Sequence, residues 1–396
     1  MGTHSSRPAN RATCCAIAWS VLMASVIGDA GGQSGDGGAS PQQGGDTAAQ
    51  QRHPPTSQPP DRIGPKHRAR HPELPPGFVI KKLDNSPPGM PREFALFVPK
   101  AYGPHREWPV LLFLHGSGEC GAGTYENIRV GLGRQFTRPE FKDYPFLTLF
   151  PQVSGMWFRG PQEDFVLRAL DQVLAEYRTD RQRIYLSGIS MGGFGTWEIA
   201  MRHPDRFAAI VPVCGGAIEP DLLSNISGLP VWAFHGRRDK RVPVSMTRDL
   251  IEALRRNGDE PRYTEYPEGL HACWDDAYTG MDLWKWLLEQ RRRERPMKIA
   301  YRLPAEHVTM PWAVWWFRFD AVDPAERIVT VACNAADDGR VAVVTRGVSG
   351  ATLLAEQMPY EAGREIRVIW NGHEAFAGKL AGDIRLPSGA SAPRGP

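Results

Sequence analysis

The chain has 396 residues, with 47 Lys and Arg against 44 Asp and Glu, for a formal net charge of +3. That length supports one large domain plus a smaller one, with a core that folds without metals or disulfide staples. Near-balanced charge with no concentrated basic face sets nucleic-acid binding aside, and histidines without paired ligand spacing imply no metal and no cofactor.

Residues 1–30 carry Arg7 and Arg11, an apolar run from Cys14 to Ile27, and small residues from Gly28 to Ala30. This is signal-peptide anatomy, and the run is shorter than the roughly 18 to 20 apolar residues that span a bilayer. Export to a periplasmic or extracellular location is therefore expected, with no integral membrane span in the mature chain. Residues 31–76 are rich in Gly, Pro, Gln, Ser and Asp. Such a segment buries too little apolar surface to offset its ordering entropy, so it reads as a disordered linker.

From residue 77 to 295 the pattern alternates. Phe94 to Val98, Val110 to Leu114 and Leu147 to Phe150 read as strands, followed by a helix from Glu163 to Tyr177. Ile184 to Leu186 leads into a helix ending near Met201. Phe207 to Val213 and Val231 to Phe234 are further strands, then come a helix from Met246 to Arg256, a strand from Tyr263 to Tyr266, and a helix from Asp275 to Gln290. Strands alternating with helices give an α/β fold with a mostly parallel sheet covered on both faces. The charges of Glu289 to Arg295 and then Pro296 mark the boundary.

Residues 296–387 hold short β-like runs at Trp312 to Phe319, Ile328 to Cys333, Val341 to Thr345, Ile366 to Trp370 and Glu374 to Lys379, separated by turns such as Asn371-Gly372. They read as a small antiparallel β domain, followed by a disordered tail at 388–396. Trp312, Trp315, Trp316 and Trp370 offer either a sugar-stacking platform or packed core and docking surface; strand aromatics favour packing.

Chemistry concentrates at Gly188-Ile189-Ser190-Met191-Gly192, a GxSxG at a strand-to-helix turn. Such a turn holds the serine hydroxyl above the sheet, with glycines clearing the backbone. A serine needs a base, and the base needs an acid to fix its tautomer. Asp239 follows one strand and His271 the next, in the order Ser, Asp, His, so Ser190, His271 and Asp239 form the candidate triad. Asp275 and Asp276 are fallback acids that begin the last helix. For the oxyanion, the N–H of Met191 supplies one donor, and the turn His115-Gly116-Ser117-Gly118-Glu119 supplies a second from Ser117, or alternatively Gly118. His115 and Glu119 are expected to shape this turn. After the signal segment, Cys120, Cys214, Cys273 and Cys333 remain; Cys120 with Cys273 is the first pairing to test, and buried free thiols are the alternative.

Leu-His-Gly-Ser-Gly-Glu, Gly-Ile-Ser-Met-Gly-Gly, His-Gly-Arg-Arg-Asp-Lys-Arg-Val-Pro and Gly-Leu-His-Ala-Cys-Trp together resemble the secreted α/β-hydrolases grouped with polyhydroxybutyrate depolymerase-like and feruloyl-type esterases. Members of that group are also labelled predicted peptidases or prolyl oligopeptidase-family proteins. The resemblance covers roughly Phe78 to Gln290. It implies an α/β-hydrolase fold, a serine esterase working through an acyl-enzyme, and Glu119, Trp157 and Trp274 near the acyl pocket. The C-terminal β domain is similar to an appendage of some exported bacterial members.

The short connection from Cys214 to Leu229 leaves no room for a large lipase lid, and the chain has no room for a propeller that screens peptides. The expected substrate is a small-molecule or polysaccharide-linked ester. The alternatives are a prolyl oligopeptidase-like peptidase and, in another class, a polysaccharide-binding module on an inactive hydrolase scaffold, with the C-terminal domain contacting cell-wall glycan.

Overall fold

The computed structural model describes residues 74–387 apart from 104, 122, 124, 159, 309 and 310. The signal segment, nearly all of the linker and the tail expected from the sequence lie outside those residues. No described helix is long and apolar enough to cross a membrane.

The first unit is built on an 8-stranded sheet: β1 (Phe78–Lys82), β2 (Glu93–Phe97), β3 (Trp108–Leu114), β4 (Leu147–Pro151), β5 (Thr179–Ile189), β6 (Ala209–Val213), β7 (Trp232–Gly236) and β8 (Arg262–Tyr266). Between them lie α1 (Leu132–Gln135), α2 (Pro161–Glu176), α3 (Met191–Arg202) and α4 (Val244–Arg256), and after β8 come α5 (Trp274–Thr279) and α6 (Met281–Glu289). The sheet order is β1-β2-β4-β3-β5-β6-β7-β8, with β1/β2 and β2/β4 antiparallel and the remaining pairs parallel. This is the α/β-hydrolase fold.

The reasons are local. β3 reads Trp-Pro-Val-Leu-Leu-Phe-Leu and is buried throughout, as a strand covered on both faces requires. Pro109 is tolerated because the pairing with β5 shifts between Trp108 and Val110. Helix α2 begins with Pro161 at its first position and buries Phe165, Val166, Ala169, Leu170, Val173 and Leu174, an apolar stripe at helical spacing.

Some boundaries differ from the sequence reading. β1 was not expected; Phe78 alone of its residues is buried, so no apolar run announces it, and pairing with β2 supplies its structure. The expected helix from Asp275 to Gln290 is two helices, broken where Gly280 turns extended at ψ 113°. Helix α3 starts at Met191, directly after the serine, because Ser190 itself is the cap.

The second unit contains β9 (Lys298–Pro304), β10 (Trp312–Val314), β11 (Phe317–Val322), β12 (Ile328–Ala335), β13 (Arg340–Arg346), β14 (Val348–Leu353), β15 (Glu365–Trp370), β16 (His373–Lys379) and β17 (Ile384–Leu386). They form sheets ordered β10-β11-β14-β17 and β16-β15-β13-β12-β9. Alternation is clean in β13, where every second residue is buried. The expectation of a purely antiparallel domain needs one correction, since β13 and β15 pair in parallel. The single run expected from Trp312 to Phe319 is split by a turn in which Trp315 adopts φ +48°.

One cluster of buried apolar residues runs through both units. The tryptophans belong to it. Trp316 and Trp370 are fully buried, with their indole N–H groups on the Pro296 carbonyl and Thr345 Oγ1. Trp312 stacks on His203 at 4.8 Å, and the backbone N–H of Trp315 donates to Asp205 Oδ2. They are core and seam.

At that seam, the last carbonyls of α3 find partners outside their own helix. Asn225 Nδ2 donates to the Met201 carbonyl and Tyr301 Oη to the Arg202 carbonyl, satisfying groups that a helix end leaves open. Asn225 also pairs like a strand with Arg302, giving and receiving one bond at 2.7 and 2.9 Å. Beneath lies a buried charge cluster in which Arg202 bonds Glu163, Glu198 and Glu219.

Candidate active site

Ser190 stands between β5 and α3 at φ +53°, ψ −117°. A non-glycine residue is strained there, and such strain persists only where the surroundings impose it. Two close approaches do so. A Cβ on Gly188 would lie 2.3 Å from the Gly192 carbonyl oxygen, and one on Gly192 would lie 2.1 Å from the Leu114 carbonyl oxygen. Only glycine at both positions lets the turn close this tightly. The Ser190 N–H bonds to the Val213 carbonyl at 2.9 Å, tying the turn to the end of β6.

His271 reaches the serine from the loop after β8. Its Nε2 lies 2.9 Å from Ser190 Oγ and its Nδ1 lies 2.7 Å from Asp239 Oδ2. The other carboxylate oxygen of Asp239 accepts the backbone N–H groups of Arg241 and Val242. Burial pushes the Asp239 carboxyl up, but hydrogen bonds from His235, His271 and the Val242 N–H outweigh it and hold the group well below the usual carboxylate range. Asp239 is thereby ionised and aimed. The fallback acids lie elsewhere in the site's wall: Asp275 accepts from Gln135 and Arg134, and α5 begins with both Asp275 and Asp276 in its first turn.

His235, passed over in the sequence as part of the loop motif, is a fourth member of this group. It is fully buried, and its Nε2 faces the Val242 carbonyl at 3.0 Å and Asp239 Oδ2 at 3.3 Å. Both are acceptors, so Nε2 carries a proton. Its Nδ1 is held by Thr247 Oγ1 at 2.8 Å, and that hydroxyl bonds the Gly215 carbonyl. The signal in the sequence was its place four residues before Asp239.

The turn after β3 is built by His115, Glu119 and Trp157. His115 is buried; its Nε2 accepts the Val153 N–H, so Nδ1 carries the proton and donates to the Gly116 carbonyl at 2.7 Å. Burial lowers its pKa to about 4, keeping the ring neutral. Glu119 Oε2 accepts the Gly116 N–H at 3.0 Å, and burial raises its carboxyl above the ordinary value against that bond. A Cβ on Gly116 would lie 3.6 Å from Ser190 Cβ, so this turn passes directly beside the serine. The N–H groups of Ser117 and Gly118 follow Gly116 in that turn, and the Met191 N–H opens α3 on the other side.

Of the residues expected at the acyl pocket, the structure separates three roles. Trp274 is half-buried and stands edge-on to the His271 ring at 5.5 Å, where it lines the site. Glu119 is partly exposed but spends one carboxylate oxygen on the turn. Trp157 is fully buried; its indole donates to the His115 carbonyl at 2.8 Å. It is a pillar under the turn rather than a pocket wall, because every face of the ring is already packed.

The pairing of Cys120 with Cys273 does not occur. Cys273 is a buried thiol in contact with Cys214, and Cys120 Sγ packs 3.9 Å from Met191 Sδ.

Parts of the chain are similar to known proteins. The dienelactone hydrolase family matches residues 155–282, which include Ser190, Asp239 and His271. A bifunctional acetylxylan esterase/xylanase of Neocallimastix patriciarum is 28% identical over 156 residues, 38% of this chain and 22% of that protein. A poly(3-hydroxyalkanoate) depolymerase C of Paucimonas lemoignei is 27% identical over 27% of this chain and 28% of that protein. An uncharacterized secreted protein of Arthroderma benhamiae is 29% identical over 44% of this chain and 22% of that protein. The chain thus spans under a third of the length of these relatives. Among solved structures, a thermostable esterase is 32% identical over 55% of this chain and 63% of that chain, with a TM-score of 0.49.

Proposed function

We propose that this α/β-hydrolase is an exported serine esterase that cleaves carboxylic esters through an acyl-enzyme. The observation that carries the reading is the continuous hydrogen-bonded line from Asp239 through His271 to Ser190, at 2.7 and 2.9 Å. Ser190 Oγ attacks the ester carbonyl as its proton passes to His271 Nε2. Asp239 keeps the Nδ1 proton and stabilises the imidazolium that forms. The developing oxyanion is met by the N–H groups of Met191 and Ser117. His271 then returns the proton to the leaving alcohol oxygen, and water, deprotonated by the same nitrogen, releases the acid.

The acetylxylan esterase and depolymerase among the relatives support an ester over an amide, and a polysaccharide-linked ester suits a site where only the short connection of residues 214–231 joins β6 to β7. Export rests on the signal-peptide pattern of residues 1–30 and the secreted relative.

The test is covalent labelling with a fluorophosphonate, together with hydrolysis of short p-nitrophenyl esters and acetylated or feruloylated glycans. One adduct on Ser190 is expected, and Ser190→Ala should lose both the label and at least about 1,000-fold in kcat. An unlabelled Ser190 in folded protein, with equal ester hydrolysis by Ser190→Ala, overturns the reading.

A further inference from the structure

Two cysteines lie against the triad without belonging to it. Cys214 follows β6 at φ +40°, a left-handed conformation unusual for a side-chain-bearing residue. Its N–H bonds to the Phe234 carbonyl at 2.8 Å, which fixes it to β7. Cys273 lies two residues after His271, donates its N–H to the His271 carbonyl at 2.9 Å and caps α5. Both side chains are buried thiols in one apolar cluster, with the two sulfurs within hydrogen-bond reach of each other. Cys214 Sγ also lies within 4.8 Å of ligand atoms of Asp239 and His271. A disulfide requires the two sulfurs to be brought together by the backbone segments that carry them, and these two segments are each anchored separately.

We propose that Cys214 and Cys273 are joined by a disulfide that tethers the His271 loop to the carboxyl end of β6. The co-oxidant is a small disulfide such as oxidised glutathione. One cysteine thiolate attacks it, forming a mixed disulfide and releasing one glutathione thiolate. The second cysteine attacks the mixed disulfide at the protein sulfur and releases the other. One S–S bond forms in the protein and one breaks in the oxidant, and the two cysteine protons end on two glutathione thiols. Burial pushes the Cys214 thiol well up, so exchange is slow in the closed fold and takes place as the chain folds, before the pair is enclosed. The bond would add a covalent tie to the packing that already joins these segments, on the loop that carries the base.

The experiment folds the full chain with oxidised and reduced glutathione, blocks remaining thiols with iodoacetamide, and maps tryptic peptides without reduction. The expected product joins Phe207–Arg237 to Tyr263–Lys285, lighter by two hydrogens than the separate thiol peptides, while Cys333, buried in β12, is carbamidomethylated. Unfolding of the Cys273→Ala variant should come on the order of 5–10 °C lower than that of the oxidised protein, and reduction of the parent should bring the two together. Recovery of both peptides singly alkylated from protein with a cooperative thermal transition overturns the proposal, as does a link from Cys273 to any other cysteine. Neither readout uses ester hydrolysis, so the result stands apart from the esterase reading.

Discussion

His235 Nε2 approaches Asp239 Oδ2 at 3.3 Å, the same oxygen that receives the Nδ1 proton of His271. The acid of the candidate triad is therefore held from two histidines, one fully buried and one facing the serine. A hydrogen bond to a charged group contributes about 1.5–3 kcal/mol. His235→Ala is expected to lower kcat by about 10- to 100-fold, with KM changed by less than about threefold. His235→Gln, which keeps an N–H donor, should recover part of the loss. Equal loss in both variants, or a loss carried wholly by KM, counts against a role in positioning Asp239.

The turn beside the serine depends on an acceptor at Glu119, not on its charge. Glu119→Gln keeps an oxygen for the Gly116 N–H and should retain kcat within about threefold. Glu119→Ala leaves that donor unpaired, which costs about 1–3 kcal/mol, and should reduce kcat by about tenfold or more. Steady-state kinetics on one p-nitrophenyl ester distinguishes the two; matching losses would instead assign Glu119 a direct role through its charge.

Gly188 has no room for a methyl group, with the Gly192 carbonyl oxygen 2.3 Å from the position of its Cβ. Gly188→Ala must displace backbone at the base of the elbow. Overpacking of this kind costs about 1–3 kcal/mol and more where only backbone can yield. Urea denaturation should show a loss of at least about 2 kcal/mol, along with weaker fluorophosphonate labelling. Unchanged stability would mean that the elbow can open.

His115 sets part of the acid sensitivity. Its folded pKa is about 4 against about 6.5 in an unfolded chain. As pH falls through 6.5, the unfolded state takes up the proton first, so stability decreases, and the decrease ends near pH 4 when the folded ring is protonated too. The difference corresponds to about 3 kcal/mol. In His115→Asn, overall stability should be lower but the slope between pH 6.5 and 4 should flatten by about that amount. Denaturant curves for both proteins at several pH values in this window provide the check.

What was legible in the sequence follows from what the residues do alone. Ser190 and Asp239 were readable because each follows an apolar strand and the glycines of the elbow mark a single conformation; His271 was readable from its place ahead of the last helices in the order Ser, Asp, His, since β8 before it is polar. The strands β9, β14 and β17 were missed: β9 alternates buried and exposed residues, β14 is interrupted by Ser349 and Gly350, and β17 is three residues long, so none gives an apolar run. Trp157 was misjudged for a similar reason: its position after Pro151 and Gln152 is visible, but whether an indole faces a pocket or a carbonyl is decided by His115, 42 residues away. The role of His235 depends on Thr247 and Gly215, which only the folded chain brings together.

Helix α3 has a different neighbour at each end. Ser190 caps its start, and Tyr301 and Asn225 hold the carbonyls at its finish, about 18 Å away at 1.5 Å per residue. The C-terminal unit therefore grips the far end of the rod on which the nucleophile is mounted. A chain cut after Arg295 would leave the Arg202 carbonyl without Tyr301 and expose the Arg202, Glu163 and Glu219 cluster to water. Truncation at the apparent domain boundary therefore strips partners from the helix that carries the nucleophile, rather than removing a passenger.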